Sequence, residues 1–487
     1  MNVVSRKIEE NIGYFDKRMN LDKSFDLIRR TIVIGGRQAC FYFIDGFCKD
    51  EVMQKMLDSL KTIQPEQMPE RVHEFSHKYI SYIEVDLLKE PQKIETNILS
   101  GVLCLFIDGY DAVIAIDCRT YPARSVDEPD KDKVLRGSRD GFVETIVFNT
   151  ALIRRRIRDP KLVMEIMQIG TTSKTDVVIS YMEDRVNEKL LEKVRTLLKN
   201  LNVDAITMNQ ESLSECIYHN RWYNPFPKFK YTERPDTTAA SILEGRIAIL
   251  TDTSPAAMVF PMSIFGMVEE ANDYYFPPIT GSYLRFTRTL ITILTLIVTP
   301  LYVLATQYPQ MVPASLQFVL VKDVINLPVV IQLFVLEFAI DGLRLAAINT
   351  PSMLTTPLSV IAGLVVGDYA VQSGWFNAET MLYMAFVAIA NYTQSSYELG
   401  YALKFMRLII LFFTGIFKFW GFVGGILLTL IIILCNRTVS GESYLYPLIP
   451  FNLRQLCRRV FRYPIECQVP SEKSNGESSG NLSNKRK

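Results

Sequence analysis

TLITILTLIVTPLYVLATQY, residues 289–308, carries no charged side chain. A helix needs about 20 apolar residues to cross the ~30 Å hydrocarbon core of a bilayer. This stretch supplies them, so it predicts a membrane helix and a change of solvent along the chain. Three further apolar stretches follow: PLSVIAGLVVGDYAVQSGWF (357–376), TMLYMAFVAIANYTQ (380–394) and LIILFFTGIFKFWGFVGGILLTLIIILC (408–435). The last would be roughly 42 Å long as one helix. It is one tilted span, or two pieces hinged near Gly421, Gly424 and Gly425, with Lys418 snorkelling or facing protein. Arg285 and Arg288 precede the first span; Arg437, Arg454, Arg458, Arg459 and Arg462 follow the last. The positive-inside rule then puts both ends in the cytoplasm and predicts an even number of crossings, about four.

Composition agrees with such segregation. The 487 residues are 48% hydrophobic and 22% charged, with a mean hydropathy of +0.12. Net charge is +1 and pI about 7.5, so there is no global basic footprint for nucleic acid. Eight cysteines are scattered without a CxxC, which fits a reducing compartment. The first 20 residues have no apolar core, so no secretory signal is expected.

Residues 1–282 carry charge throughout. ACFYFIDGF (39–47) predicts a strand and turn, and GVLCLFIDGYDAVIAIDCR (101–119) a hairpin turning at Asp108–Asp111. VVISYM (177–182) predicts a strand, EKLLEKVRTLLKNL (188–201) a helix, and 242–260 a hairpin turning at Thr251–Pro255. The proline-rich segment 223–237 predicts a linker. This alternation predicts one or two small α/β domains.

GSRDGFVETIVFNTALIRRRIRDP (137–160) predicts a helix. Phe142, Ile146, Asn149, Ile153 and Ile157 share one face, Ser138 is the candidate N-cap, and the arginines form a charged outer face or bind an acidic partner or lipid. His73-Glu74-Phe75-Ser76-His77 fits H-E-x-x-H, a zinc protease signature. Outside it the sequence has one histidine, His219, and Arg71 and Lys78 flank the motif unfavourably for a dication. An incidental surface helix is expected instead. There is no phosphate-binding GxxxxGK[ST] loop and no nucleophile–base set, so neither an enzyme nor a cofactor or metal site is expected.

In the apolar half, VVIQLFVLEFAIDGLRLAAI (329–348) has one charged stripe of Glu337, Asp341 and Arg344. Charges at bilayer depth usually face protein or water. The stripe predicts an interfacial helix with an Asp341–Arg344 pair, or a re-entrant or subunit-interface helix lining a polar path. Gly363, Gly367, Ala370 and Gly374 fall at spacings of 4, 3 and 4, giving a small face with a GxxxG pattern. It packs within the subunit or forms a ring of helices around a pore. Asp368 beside it would be expensive facing lipid, and Asn391 and Glu398 add polar groups to a candidate path.

Several long strings carry a resemblance: 137–160, NPFPKFKYTERPDT (224–237), LEGRIAILTDTSP (243–255) and EEANDYYFPPITGSYLR (269–285). They resemble the spore germination protein family of endospore-forming bacteria, the A subunits of germinant receptors. YPARSVDEPDKDKVLRGSRDGFVET (121–145), MNQESLSEC (208–216) and ANYTQSSYELGYALKFMR (390–407) mark one branch. The resemblance implies a spore inner-membrane protein with its N-terminal domain facing the core. It implies homo-oligomers that form an ion-releasing channel early in germination, in company with other germination membrane proteins. It implies no catalytic residue and no metal.

The expected organisation is an α/β N-terminal cytoplasmic region plus an α-helical multi-pass transmembrane domain. Residues 1–222 form the soluble α/β region as two small subdomains, and 223–282 a linker and hairpin. Residues 283–436 form the membrane domain, with an amphipathic or re-entrant helix at 329–348, and 437–487 a basic tail disordered from about 471. The expected function is an oligomeric ion channel, with a non-conducting scaffold or signal-relay subunit as the alternative.

Overall fold

A computed structural model describes residues 3–121, 134–218, 224–322, 327–350 and 363–462, of which 364–366 by backbone alone. His219, the start of the 357–376 stretch and the tail from 471 lie outside the described residues. Two compact units emerge: 3–218 with 229–261, and 224–228 with 262–462.

The first unit opens with α1 (Ile8–Arg18), β1 (Leu27–Ile34), β2 (Arg37–Ile44), α2 (Asp50–Lys61) and α3 (Val72–Tyr79). It continues with β3 (Val85–Leu88), α4 (Pro91–Leu99), β4 (Leu103–Ile107) and β5 (Val113–Ile116). Then the series repeats: α5 (Ile146–Arg156), β6 (Leu162–Ile169), β7 (Thr175–Met182), α6 (Glu188–Lys199), α7 (Asn209–Ile217). β8 (Lys230–Thr232), α8 (Pro235–Leu243), β9 (Ile247–Thr251) and β10 (Ala257–Phe260) complete it. Both sheets are antiparallel, in orders β1-β2-β4-β5-β3 and β6-β7-β9-β10-β8. The two orders are the same, offset by five strands, so the unit is a structural duplication.

Local chemistry is duplicated too. Asn11 closes a loop by bonding the N–H and carbonyl of Ser5, and Asn149 does so with Val143. The Asp108 carboxylate accepts from Ile8 N–H, the first residue of α1, at 3.0 Å; Asp252 accepts from Ile146, the first of α5, at 3.2 Å. α4 and α8 both begin with proline and end in Ile-Leu-x-Gly, with φ of +91° at Gly101 and +90° at Gly245. A left-handed glycine after the last turn satisfies the free carbonyls there. A Cβ would stand 2.2 Å from Phe47 at the first and 2.6 Å from the Arg185 carbonyl at the second.

Two expectations change here. Residues 223–237 are not a linker throughout: β8 pairs with β10 in register Ala257↔Thr232, and Pro235 starts α8. The arginine-run helix starts at Ile146, not Ser138, because the Asn149 bonds to Val143 hold the preceding chain out of helix. Its basic end is an outer face only in part: Arg155 and Arg158 are exposed. Arg154 is fully buried, donating to Asp26 of the first repeat at 2.7 and 3.1 Å and to the Leu162 carbonyl of the second at 3.1 Å. Arg155 stacks over Tyr121 at 4.4 Å and Arg156 holds Asp140. The helix joins the two repeats.

The second unit is helical: α9 (Ile264–Val268), α10 (Asn272–Tyr275), α11 (Pro278–Gln307), α12 (Val329–Asn349), α13 (Ala378–Tyr392), α14 (Tyr397–Leu434) and α15 (Leu453–Val460). Hydrogen bonds set directions. Gln394, just before α14, bonds Thr292, and Gln307 bonds the Thr414 carbonyl, so α11 and the first part of α14 run the same way. Tyr302 meets Thr380, and Gln332 meets Asn377, so α13 and α12 run the other way. Tyr302, Val303, Leu333, Leu336, Phe376, Met384 and Leu411 form the core between them.

α11 is long and apolar enough to cross a membrane, and so is α14 taken over its whole length. α14 breaks at Lys418, where φ is +54° and ψ −129°. Beyond it the backbone returns along itself: a Cβ at Gly421 would stand 1.9 Å from the Phe413 carbonyl oxygen, and one at Gly425 2.9 Å from Ile410 Cα. The 408–435 stretch is therefore two antiparallel arms. Its reversal lies three residues before Gly421; Gly421 and Gly425 serve close packing instead. Lys418 stands exposed at the tip with Phe417, Phe419 and Trp420. Because both obstructions are backbone atoms, Gly425→Leu forces the arms apart. We expect full-length protein to accumulate in membranes far below wild type, read by quantitative immunoblot, whereas the uncrowded Gly424→Leu accumulates normally.

Candidate functional site: charges inside the helical unit

Glu337 and Asp341 come one helical turn apart on α12, and Lys404 and Arg407 nearly so on α14. The spacings match, so the two faces meet as a quartet. Arg407 Nε donates to Glu337 at 3.0 Å, and its Nη2 makes a second, shorter bond to the same oxygen. Lys404 binds Asp341 and lies 3.5 Å from Glu337. Arg407 Nη1 also reaches the Thr295 carbonyl of α11 at 3.2 Å, tying three helices together. Glu337, Lys404 and Arg407 are all buried, while Asp341 is partly open.

One of the two sequence readings of this stripe pairs Asp341 with Arg344. Instead Arg344 stacks over Tyr392 at 5.1 Å and Tyr401 at 5.5 Å, and both carboxylates go to α14. Lys404 and Arg407 were missed because they stand just before the apolar run at 408 and read as its flank. Two cations three apart, one turn before an uncharged run, were the available signal.

The other candidates lie apart from the quartet. Asn391 Oδ1 is buried with no hydrogen-bond partner among the described residues. Glu398 sits in the first turn of α14, bonded by Ser396 Oγ at 2.7 Å, where negative charge suits the helix dipole. Gly363 and Gly367 belong to a π-helical segment, Gly363–Tyr369, followed by the short helix Ala370–Gln372. The wider π turn breaks the 3.6 period on which the small face was read. Ala370 packs against the helical core, whereas Gly374 has φ +76°. Asp368 is exposed. A Cβ at Gly363, Gly367 or Gly374 would meet nothing within 4 Å among the described residues.

A second charged group lies at the start of α11. Arg285 and Arg288, the basic residues before the span, are buried and paired. Asp273, fully buried, holds both, with Glu269 on Arg285 and Glu270 on Arg288. From Arg288 to Thr295 is seven residues, roughly 10 Å at ~1.5 Å per residue. The quartet thus sits deep along the apolar helix.

Lys228, at the unit's entry, is also buried. It donates to Asn436 Oδ1 and the Arg437 carbonyl and lies 5.4 Å over the Tyr444 ring. Burial lowers its pKa from 10.5 to about 8. The unfolded chain therefore keeps this proton up to higher pH than the folded one, and stability rises with pH between about 8 and 10.5. Melting curves of full-length protein across that window should show wild type gaining on Lys228→Met; parallel curves would contradict this.

His73 and His77 lie on exposed positions of α3 with ring centroids 4.4 Å apart. Among the described residues no three His, Cys, Asp or Glu side chains are grouped to hold a metal.

Comparison with known proteins decides the family. The family described as Bacillus/Clostridium GerA spore germination protein matches residues 15–473. The chain belongs to the GerA spore germination family. Stage V sporulation protein AF of Bacillus subtilis (strain 168) is 34% identical over 460 residues, covering 94% of this chain and 93% of that one. It is the branch marked by 121–145, 208–216 and 390–407. Spore germination protein A1 of the same organism is 27% identical, covering 93% and 94%. A crystal structure of the N-terminal domain of the A subunit of the Bacillus megaterium spore germinant receptor GerK3 is 25% identical. It covers 54% of this chain and 96% of that one, with a TM-score of 0.42. For this GerA-family chain the α/β N-terminal unit precedes a helical unit whose apolar helices enclose the charged quartet.

Proposed function

We propose that this GerA-family protein sits in the spore inner membrane, N-terminal unit and C-terminus on the core side, and passes ions during germination as a homo-oligomer. Named relatives are a stage V sporulation protein and spore germination proteins, which supports the germination role. The observation that carries the ion path is the quartet. A pure anchor has no use for four ionised side chains inside apolar helices, where each is costly. Such groups line polar routes or hold them shut. Here every carboxylate is held by a cation, so the arrangement is a closed one, and ion passage requires the α12–α14 pairs to part. Gly363 and Gly367, where a Cβ would meet none of the described residues within 4 Å, give a neighbouring subunit a place to pack closely. In this reading the chain is not an enzyme and uses no cofactor or metal.

The same full pairing also favours a second reading, a non-conducting scaffold or relay in which the quartet only locks α12 to α14. Assembly tests the oligomer. Native mass spectrometry of protein released from lipid nanodiscs should give a defined multimer, weakened by Gly363→Leu with Gly367→Leu. A strict monomer would count against the proposal.

A further inference from the structure

After α14 ends at Leu434 the chain turns and forms α15. Residues 443–462 contain no acidic side chain and four arginines. Leu448, Ile449, Phe451, Leu453 and Phe461 are all exposed. Arg459 pairs with Glu269 at 2.9 Å, but Arg454 and Arg458 have no carboxylate within 4.0 Å among the described residues. The segment is pinned to the entry of the first apolar helix. Arg285 Nη1 donates to the Arg458 and Arg459 carbonyls at 3.3 and 3.1 Å, and Arg462 N–H donates to Ser282 Oγ at 2.9 Å. At that same level α11 exposes Ile279, Tyr283 and Phe286, at positions i, i+4 and i+7.

We propose that residues 445–462 lie in the membrane–water interface and bind anionic lipid headgroups through Arg454 and Arg458. This rests on the reading that α11 and α14 cross the membrane. Water does not favour a cluster of large apolar side chains, and hydrocarbon does not favour unpaired arginines. An interface that offers acyl chains on one side and negative headgroups on the other satisfies both. Aromatic and aliphatic residues beside cations, at the foot of an apolar helix, are what that boundary selects.

Photoactivatable lipids test it in the full-length protein reconstituted in vesicles. One probe carries its reactive group on a phosphatidylglycerol headgroup, a second on a phosphatidylcholine headgroup, and a third on an acyl chain. The anionic headgroup probe should modify 448–462 at least about fivefold more than the neutral one, since each arginine near an anionic surface contributes roughly that factor. Arg454→Gln with Arg458→Gln, or 0.5 M salt on wild type, should bring the ratio to about one. The acyl probe should modify exposed Leu290, Ile293 and Leu301. Equal headgroup adducts, or none on 448–462, alongside acyl adducts on α11 would overturn the lipid site alone. Absence of acyl adducts on α11 would overturn the membrane-crossing reading, and this proposal with it.

Discussion

Arg407→Leu should destabilise the helical unit by about 3–5 kcal/mol, the penalty of leaving a buried partner charge without its counter-ion. Arg407 is 1% exposed and makes its bonds to Glu337 and to the Thr295 carbonyl away from water. Without it Glu337 keeps only Lys404, at 3.5 Å and already shared with Asp341. Replacing both partners removes the problem as well as the bond, so Glu337→Leu with Arg407→Leu should regain most of the loss. Thermal melting of the full-length protein in detergent, run as a double-mutant cycle, reads the coupling directly. Singles that melt within a degree of wild type would show that the pair is solvated and lies outside an apolar interior.

Arg154→Met should have a comparable effect, about 3–5 kcal/mol, on the N-terminal unit. It leaves Asp26, itself 1% exposed, uncompensated between the repeats. It also frees the Asp159 and Leu162 carbonyls and Ser24, all of which Arg154 reaches within 3.4 Å. Because those partners lie in different repeats, the loss should also let the repeats separate. Urea unfolding of full-length protein should show the N-terminal transition at lower denaturant, and limited proteolysis should cut between repeats sooner. An unchanged midpoint would mean that Arg154 only decorates an interface held by other contacts.

Much of the strand content was legible because hairpins announce themselves locally. Asp108–Asp111 between apolar runs gave β4 and β5, and the turn at Thr251–Pro255 gave β9 and β10. The duplication was not seen, since its sequence trace is thin: a proline, Ile-Leu-x-Gly and a later aspartate, at Pro91, Gly101 and Asp108 and again at Pro235, Gly245 and Asp252. The role of Arg154 was hidden because sequence periodicity sorts charge outward, and only a distant carboxylate at Asp26 makes burial possible. The quartet was half legible. Glu337 and Asp341 stood out in an apolar helix, but pairing across 63 to 70 positions of chain leaves no local signal. Gly363 and Gly367 were read on an α-helical period that a π turn does not keep.

The most direct test of the central claim is potassium and sodium efflux from liposomes that hold the purified full-length protein. The account predicts ion release by wild type, and its loss in Gly363→Leu with Gly367→Leu protein that remains folded. Folded, assembled wild-type protein that releases neither ion, alone or with co-expressed neighbouring membrane proteins, would contradict the channel and leave the scaffold in its place.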